Sequence, residues 1–193
     1  MEKMVEWAST HVPATLRPSV LDVGTGNGHL LFAMVEAGYD ATRLTGIDYS
    51  QGSVDLSAAI AKHRDETESG DKGEGATYAN ATFAVCDFLD PASPVPPPRE
   101  EGASDGAWDL VLDKGTFDAI SLMDEDERGA APLERYVPRV VKLLRPGGHF
   151  LITCKPVSLD RRLRVFTAYT ACNFTEDELT QKIAAPESSL VYK

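Results

Sequence analysis

Cysteine is scarce: only Cys86, Cys154 and Cys172 occur in 193 residues. Odd in number and far apart, they give neither a disulfide framework nor the close pairs of a zinc site, so no metal is expected and the location should be cytoplasmic or also nuclear. Long apolar runs are missing as well. No stretch approaches the ~20 residues needed to cross a bilayer, and Met1-Glu2-Lys3-Met4-Val5-Glu6-Trp7 does not read as a signal peptide. Basic charge is in deficit, with 19 Lys and Arg against 30 Asp and Glu, a net −11. That balance opposes unaided binding to nucleic-acid phosphates. It suits a basic protein partner, or merely keeps loops solvated, and charge alone favours the second. No internal repeat is visible. The remaining composition, 42% hydrophobic and 25% charged, is that of one ordinary domain spanning residues 1–193, expected to be a monomer.

The most informative stretch is Ser19-Val20-Leu21-Asp22-Val23-Gly24-Thr25-Gly26-Asn27-Gly28-His29-Leu30-Leu31. An apolar run ending in an acid, three alternating glycines and a new apolar pattern read as buried strand, tight turn and helix start. Peptide N–H groups at such a turn are free to donate to a ligand.

The rest of the chain alternates in the same way. Residues 2–9 form a short amphipathic helix, and Pro13 and Pro18 precede a strand at Val20–Val23. Leu30, Leu31, Met34 and Val35 share a helical face that stops near Gly38. Leu44–Asp48 is a second strand, followed by a helix through Val54 and Ile60 with Ser50 or Ser53 as N-cap. Residues 62–79 read as a polar loop, Thr82–Cys86 as a third strand and the proline-dense 91–107 as a surface loop. Trp108–Leu112 is a fourth strand. Leu133, Tyr136, Val137, Val140, Val141 and Leu144 recur at helical spacing, with Pro138 expected to kink or restart that helix. Pro146-Gly147-Gly148 is a stop before a fifth strand, His149–Cys154. Strand–helix alternation implies right-handed crossovers and an α/β, Rossmann-like doubly wound, mostly parallel sheet.

Ligands of such sheets sit at the carboxyl ends of the strands. Asp48, Asp87, Asp113 and Asp118 fall at or just beyond those ends. Any one of them alone is better read as a cap or turn former, but their recurrence beside the glycine turn points to a nucleoside site. Asp48 follows Gly24 by about the ~20 residues expected of a ribose-binding acid. A dinucleotide site would have G-x-G-x-x-G, which the spacing Gly24, Gly26, Gly28 does not match.

The D-x-G-x-G-x-G spacing from Asp22 to Gly28 resembles motif I of the seven-strand, S-adenosylmethionine-dependent methyltransferases. The resemblance implies that Asp22, Gly24, Thr25, Gly26, Asn27 and Gly28 cradle the cofactor's methionine part. Asp48, with Tyr49, would hold the ribose; Asp87 would face the adenine amino group and Phe88 would pack near the ring. Asp113-Lys114-Gly115-Thr116-Phe117-Asp118-Ala119-Ile120 narrows it further. With Asp48-Tyr49-Ser50 and Ala171-Cys172-Asn173-Phe174-Thr175-Glu176-Asp177-Glu178-Leu179, it resembles the eukaryotic enzymes that methylate a lysine of translation elongation factor 1A. By that resemblance the cofactor is S-adenosyl-L-methionine and the partner elongation factor 1A. Asp113 is the candidate catalytic residue, orienting the incoming amine rather than activating it, since a nearby carboxylate raises an ammonium pKa. Lys114 is either a cofactor-side contact or a loop cation. Asp118 is expected to cap the next helix, His29 to be a surface or capping contact, and Cys154 and Cys172 to be buried thiols.

Three departures from the family pattern shape the expectations. Little chain precedes the first strand, Lys155–Thr170 is a basic insert without a counterpart, and the C-terminal β-hairpin is expected to be absent, leaving an uncovered edge. These suggest a truncated or alternatively spliced form. Rival readings are a methyltransferase of the same fold with another substrate, a catalytically silent cofactor-binding fragment and, last, a dehydrogenase.

Overall fold

A computed structural model of the chain describes residues 1–68, 77–99, 107–124, 132–154 and 162–167. Among the described residues six strands make one sheet: β1 (Val20–Val23), β2 (Leu44–Asp48), β3 (Thr82–Val85), β4 (Trp108–Lys114), β5 (Leu144–Cys154) and β6 (Arg162–Thr167), in the order β3-β2-β1-β4-β5-β6. The first five are parallel and β6 runs antiparallel to β5. Strand order reverses between β1 and β4, which creates the crevice where doubly wound sheets bind ligands. Five helices cover the faces: α1 (Glu2–His11), α2 (His29–Glu36), α3 (Gln51–Glu68), α4 (Thr116–Ile120) and α5 (Leu133–Leu143).

Alternation along the central strands divides the core in two. Val20, Leu110, Leu112 and Leu151 face the layer containing Met4 and Ala8 of α1 and Leu30, Leu31 and Met34 of α2. Leu21, Val23, Val111, Phe150 and Ile152 face Tyr136, Val137 and Val140 of α5. Within the first layer, Trp7 stacks on His11 at 4.3 Å and tilts against His149 at 5.4 Å. No helix among the described residues is long and apolar enough to cross a membrane.

Several local expectations need correction. α1 runs to His11, two residues beyond the 2–9 expected. Residues 62–68 continue α3 rather than starting a loop. Their outward face carries no apolar period, and the anchoring is polar: Arg64 pairs with Glu36 at 2.6 Å, and Asp65 accepts from Tyr78 N and Ala79 N at 2.7 and 2.9 Å. Residues 69–76 lie outside the described residues, and Tyr78–Asn80 form a 3₁₀ turn. Pro138 lies inside α5 without ending it. Pro146-Gly147-Gly148 falls within β5, as a bulge: Trp108 pairs with Leu144 but Leu110 with His149. A Cβ at Gly148 would stand 2.8 Å from the Trp108 carbonyl oxygen, so glycine permits the close approach there.

The largest correction concerns the sheet edge beside β5. Arg162–Thr167, inside 155–170, forms β6 and pairs with β5 from His149↔Thr167 to Cys154↔Arg162. The β5 edge expected to be open is therefore covered. Residues 155–161, 168–170, the Ala171–Leu179 block with Cys172, and 100–106 of the second loop lie outside the described residues.

Candidate functional site

The glycine turn between β1 and α2 is folded back onto the neighbouring strand. Gly24 N and Thr25 N donate to the Ile47 carbonyl at 2.8 and 2.9 Å. Asp48, at the end of β2, spends its carboxylate on backbone: Oδ2 accepts from Gly26 N at 2.9 Å and Oδ1 from Ser50 N at 3.0 Å. Ser57 Oγ, from α3, donates to Gly26 O at 2.9 Å. The turn is thus pre-organised by β2 and α3 before any ligand arrives. Its three glycines all have positive φ, for different neighbours. A Cβ at Gly24 would lie 1.9 Å from Thr116 Oγ1 and one at Gly28 would lie 2.8 Å from Phe32 Cζ, whereas one at Gly26 would meet nothing within 4 Å.

Across the crevice, Thr116 Oγ1 donates to Val23 O at 2.8 Å, joining the start of α4 to the end of β1. Between these elements lies a cavity of about 290 Å³. It is lined by Gly24 of the glycine turn, Ile47, Asp48 and Tyr49 at the end of β2, Cys86, Asp87, Phe88 and Leu89 after β3, and Thr116, Ala119, Ile120 and Met123 in and after α4. It has one buried carboxylate, Asp48, among largely apolar walls. Tyr49, 81% exposed, stands at the rim.

Comparison with known proteins places this arrangement. The sequence profile of the family described as "Methyltransferase domain" matches residues 17–188. The chain belongs to this methyltransferase-domain family. A protein-lysine N-methyltransferase, efm4, of Schizosaccharomyces pombe is 33% identical, covering 94% of this chain and 65% of its own length. EEF1A lysine methyltransferase 2 of mouse is 32% identical, with 93% and 55% covered. The chain therefore spans between about half and two thirds of the length of these curated relatives. Among solved structures, the glycopeptide N-methyltransferase MtfA complexed with sinefungin superposes with a TM-score of 0.51 at 17% identity, over 78% of this chain and 48% of that one. At that identity it speaks for the fold, a class I methyltransferase sheet.

In this methyltransferase domain the site residues expected from sequence fall into two groups. Gly24, Asp48, Tyr49, Asp87 and Phe88 surround the cavity. Asp22, Thr25, Gly26, Asn27, Gly28, Asp113 and Lys114 do not line it. Asp22 and Thr25 are buried beneath the turn, and a Cβ at Gly46 would stand 2.6 Å from Thr25 Oγ1. Asn27 Oδ1 accepts from His29 N at 3.3 Å, starting α2, and Lys114 is exposed.

Asp113 requires a correction. It is fully buried, and its oxygens accept from Thr116 N at 2.8 Å, Phe117 N at 2.9 Å and the Tyr136 hydroxyl. A carboxylate so enclosed does not touch an incoming amine; it caps α4 and ties that helix to α5. Asp118, expected to be that cap, lies inside the first turn of α4 instead. Burial raises the Asp113 carboxyl to about 6, against the lowering effect of the Tyr136 hydroxyl and the N–H groups of Phe117, Thr116 and Gly115. Burial likewise pushes Asp22 up to about 7. The Thr25 side chain opposes this, the Asp113 charge adds to it, Lys114 opposes it and Asp48 adds again.

The cavity residues that the sequence did not single out are Ile47, Cys86, Leu89, Thr116, Ala119, Ile120 and Met123. Thr116, Ala119 and Ile120 belong to the block that begins at Asp113, so a signal existed: a strand-end acid three residues before a helix start brings that helix to the ligand end of the sheet. Leu89 and Met123 carry no such mark.

Proposed function

We propose that this chain is the S-adenosylmethionine-binding catalytic domain of a protein-lysine N-methyltransferase that acts on translation elongation factor 1A. The observation that carries the reading is the glycine turn stapled by Asp48 at the strand ends of a methyltransferase-family sheet. The names of the relatives, protein-lysine N-methyltransferase and EEF1A lysine methyltransferase, supply the substrate.

The residues fit the cofactor's chemistry. Ile47, Phe88, Leu89 and Ile120 offer apolar walls to a flat base, and Asp48 an acceptor to a ribose diol. Gly26, with no side chain and open space where one would be, lets a polar ligand group approach the backbone. When bound, S-adenosylmethionine supplies an electrophilic methyl group on a sulfonium sulfur. The protein must present a lysine as the neutral amine, in line with that methyl, and release its proton to solvent. Asp113 contributes by fixing α4, which carries Thr116, Ala119 and Ile120.

The test is incubation of the purified chain with elongation factor 1A and S-adenosylmethionine, followed by mass spectrometry of the product. Methyl groups on a lysine, lost with Asp48→Ala, are expected. Binding of S-adenosylhomocysteine without transfer would reduce the reading to a silent cofactor-binding fragment, and transfer only to other proteins would replace the substrate.

A further inference from the structure

The turn after β3 is a thin wall of the cavity. Cys86, Asp87, Phe88 and Leu89 line the cavity on one side. Phe88 and Leu89 also border a second, open groove of about 520 Å³, whose other bank is Arg135, Pro138, Arg139 and Lys142 of α5. Cys86 and Phe88 are buried in the core, with the Phe88 ring 5.3 Å from that of Tyr136, while Asp87 is exposed. The turn's internal bonds are short-range: Leu89 N donates to Asp87 Oδ1 at 2.9 Å and Asp87 N to Ser93 Oγ at 3.0 Å.

Beyond the Cys86 N–H bond to the Asp48 carbonyl at 2.8 Å, Arg139 adds long-range hydrogen bonds to this turn. From α5, Nη1 donates to the carbonyls of Asp87 and Phe88, both at 3.2 Å, and to that of Asp90. Nη2 donates to the Ser93 carbonyl and lies 3.7 Å from Cys86 Sγ. The guanidinium carbon is 5.1 Å from the centre of the Phe88 ring. One side chain thus gathers four main-chain carbonyls of a single turn and stacks on its aromatic residue. Only a planar group with several fixed donors can do this; an ammonium is a point charge with three donors.

We propose that Arg139 is a positioning residue for the nucleoside end of the cofactor, setting from α5 the turn that presents Asp87, Phe88 and Leu89 to the base. The proposal rests on the cofactor reading above. It gives α5, which lines no part of the cavity, control over cofactor affinity.

The experiment is calorimetric titration of the full chain and of R139M and R139K with S-adenosylhomocysteine and with 5′-methylthioadenosine, which keeps the nucleoside but lacks the amino-acid end. Thermal unfolding fixes the folded fraction, so that affinity is read for folded protein only. R139M is expected to bind both ligands about tenfold more weakly, the loss of a charged donor to four carbonyls of one turn, two of them part-buried. R139K should fall between, and amide exchange over 86–93 should quicken in both. If R139M does not fold, R139K carries the test. Variants that bind within about twofold of the unaltered chain, or a loss seen with S-adenosylhomocysteine but not with methylthioadenosine, overturn the proposal and leave the cofactor reading standing. An unaltered chain that binds neither ligand overturns the cofactor reading and the proposal together.

Discussion

A methyl group added at Gly24 would sit 1.9 Å from the Thr116 hydroxyl oxygen, whereas one added at Gly26 would meet nothing within 4 Å, although both residues have positive φ. Thr116 cannot easily give way, because its hydroxyl is bonded to Val23 O. Gly26→Ala should therefore cost only the left-handed strain, about 1–2 kcal/mol. Gly24→Ala should cost that strain plus the loss or displacement of the Thr116 bond, roughly 3 kcal/mol in all. Urea unfolding distinguishes the two, and equal losses would show that the clash is relieved at no cost. The buried acids make a second prediction at this scale. Asp22 and Asp113 have folded-state values of about 7 and 6, both above the ordinary 3.8. Between pH 4 and 7 the folded protein therefore holds protons that the unfolded chain releases, and these groups' contribution to stability falls as pH rises through that window. Asp22→Asn, which cannot ionise, should flatten the decline and be more stable than the parent at pH 7.5 by about 1–3 kcal/mol. Urea midpoints at pH 5 and 7.5 measure it, and an unchanged slope would place the titration elsewhere.

Elements that bury an apolar stripe could be read directly from residue order, and those held by polar or long-range contacts could not. Val20–Val23, Leu44–Asp48 and Trp108–Leu112 were plain as strands because both faces are covered, which forces near-continuous apolar runs. The second half of α3 was not plain: Arg64 and Asp65 reach partners at Glu36 and Tyr78, and no local pattern encodes those distances. β6 was invisible for a related reason, since Arg162–Thr167 gains its meaning as a strand from pairing with β5. On an edge strand only every second N–H faces its neighbour, so amides of 162–167 should show alternating slow and fast hydrogen exchange, and uniformly fast exchange would refute the pairing. The Asp113–Tyr136 link is likewise absent from any spacing rule, for it joins β4 to α5 across 23 residues. Tyr136→Phe keeps the ring packing against Phe88, Phe117 and Phe150 and removes the hydroxyl alone. It should cost about 1–3 kcal/mol, the range for a hydrogen bond to a buried charged group, measured by urea unfolding.

The whole sheet holds its glycine turn and its Ser19–Asp109–Arg145 network at opposite ends. At the carboxyl ends stand the glycine turn, Asp48 and α4. At the other end the buried Asp109 accepts from Ser19 N and Ser19 Oγ at 2.7 and 2.8 Å and pairs with Arg145. Asp109→Ala should destabilise the domain by about 3 kcal/mol, as breaking a buried charged network does, while folded protein keeps its affinity for S-adenosylhomocysteine. A matching loss of affinity would mean that the two ends are mechanically coupled. The glycine motif revealed the binding end of this layout because its chemistry needs particular residue types at fixed spacing. The opposite end had no motif, and no spacing rule marks Asp109, the second residue of β4. Asp113 shows the converse error: a strand-end acid in a family motif was expected at the ligand, whereas full burial gives it to the scaffold.

The seating of α1 has an optical consequence. The chain has two tryptophans, Trp108 sealed in the core and Trp7 stacked on His11 and leaning on His149. A protonated imidazole drains the excited state of an indole it touches, and burial, together with the charge of neighbouring His11, lowers the pKa of His149. In a Trp108→Phe chain, the part of the acid quenching that comes from His149 would therefore act only while the first helix rests on the sheet. That part of the quenching would vanish when the helix lifts away, so the brightness of Trp7 in acid reports whether α1 is in place.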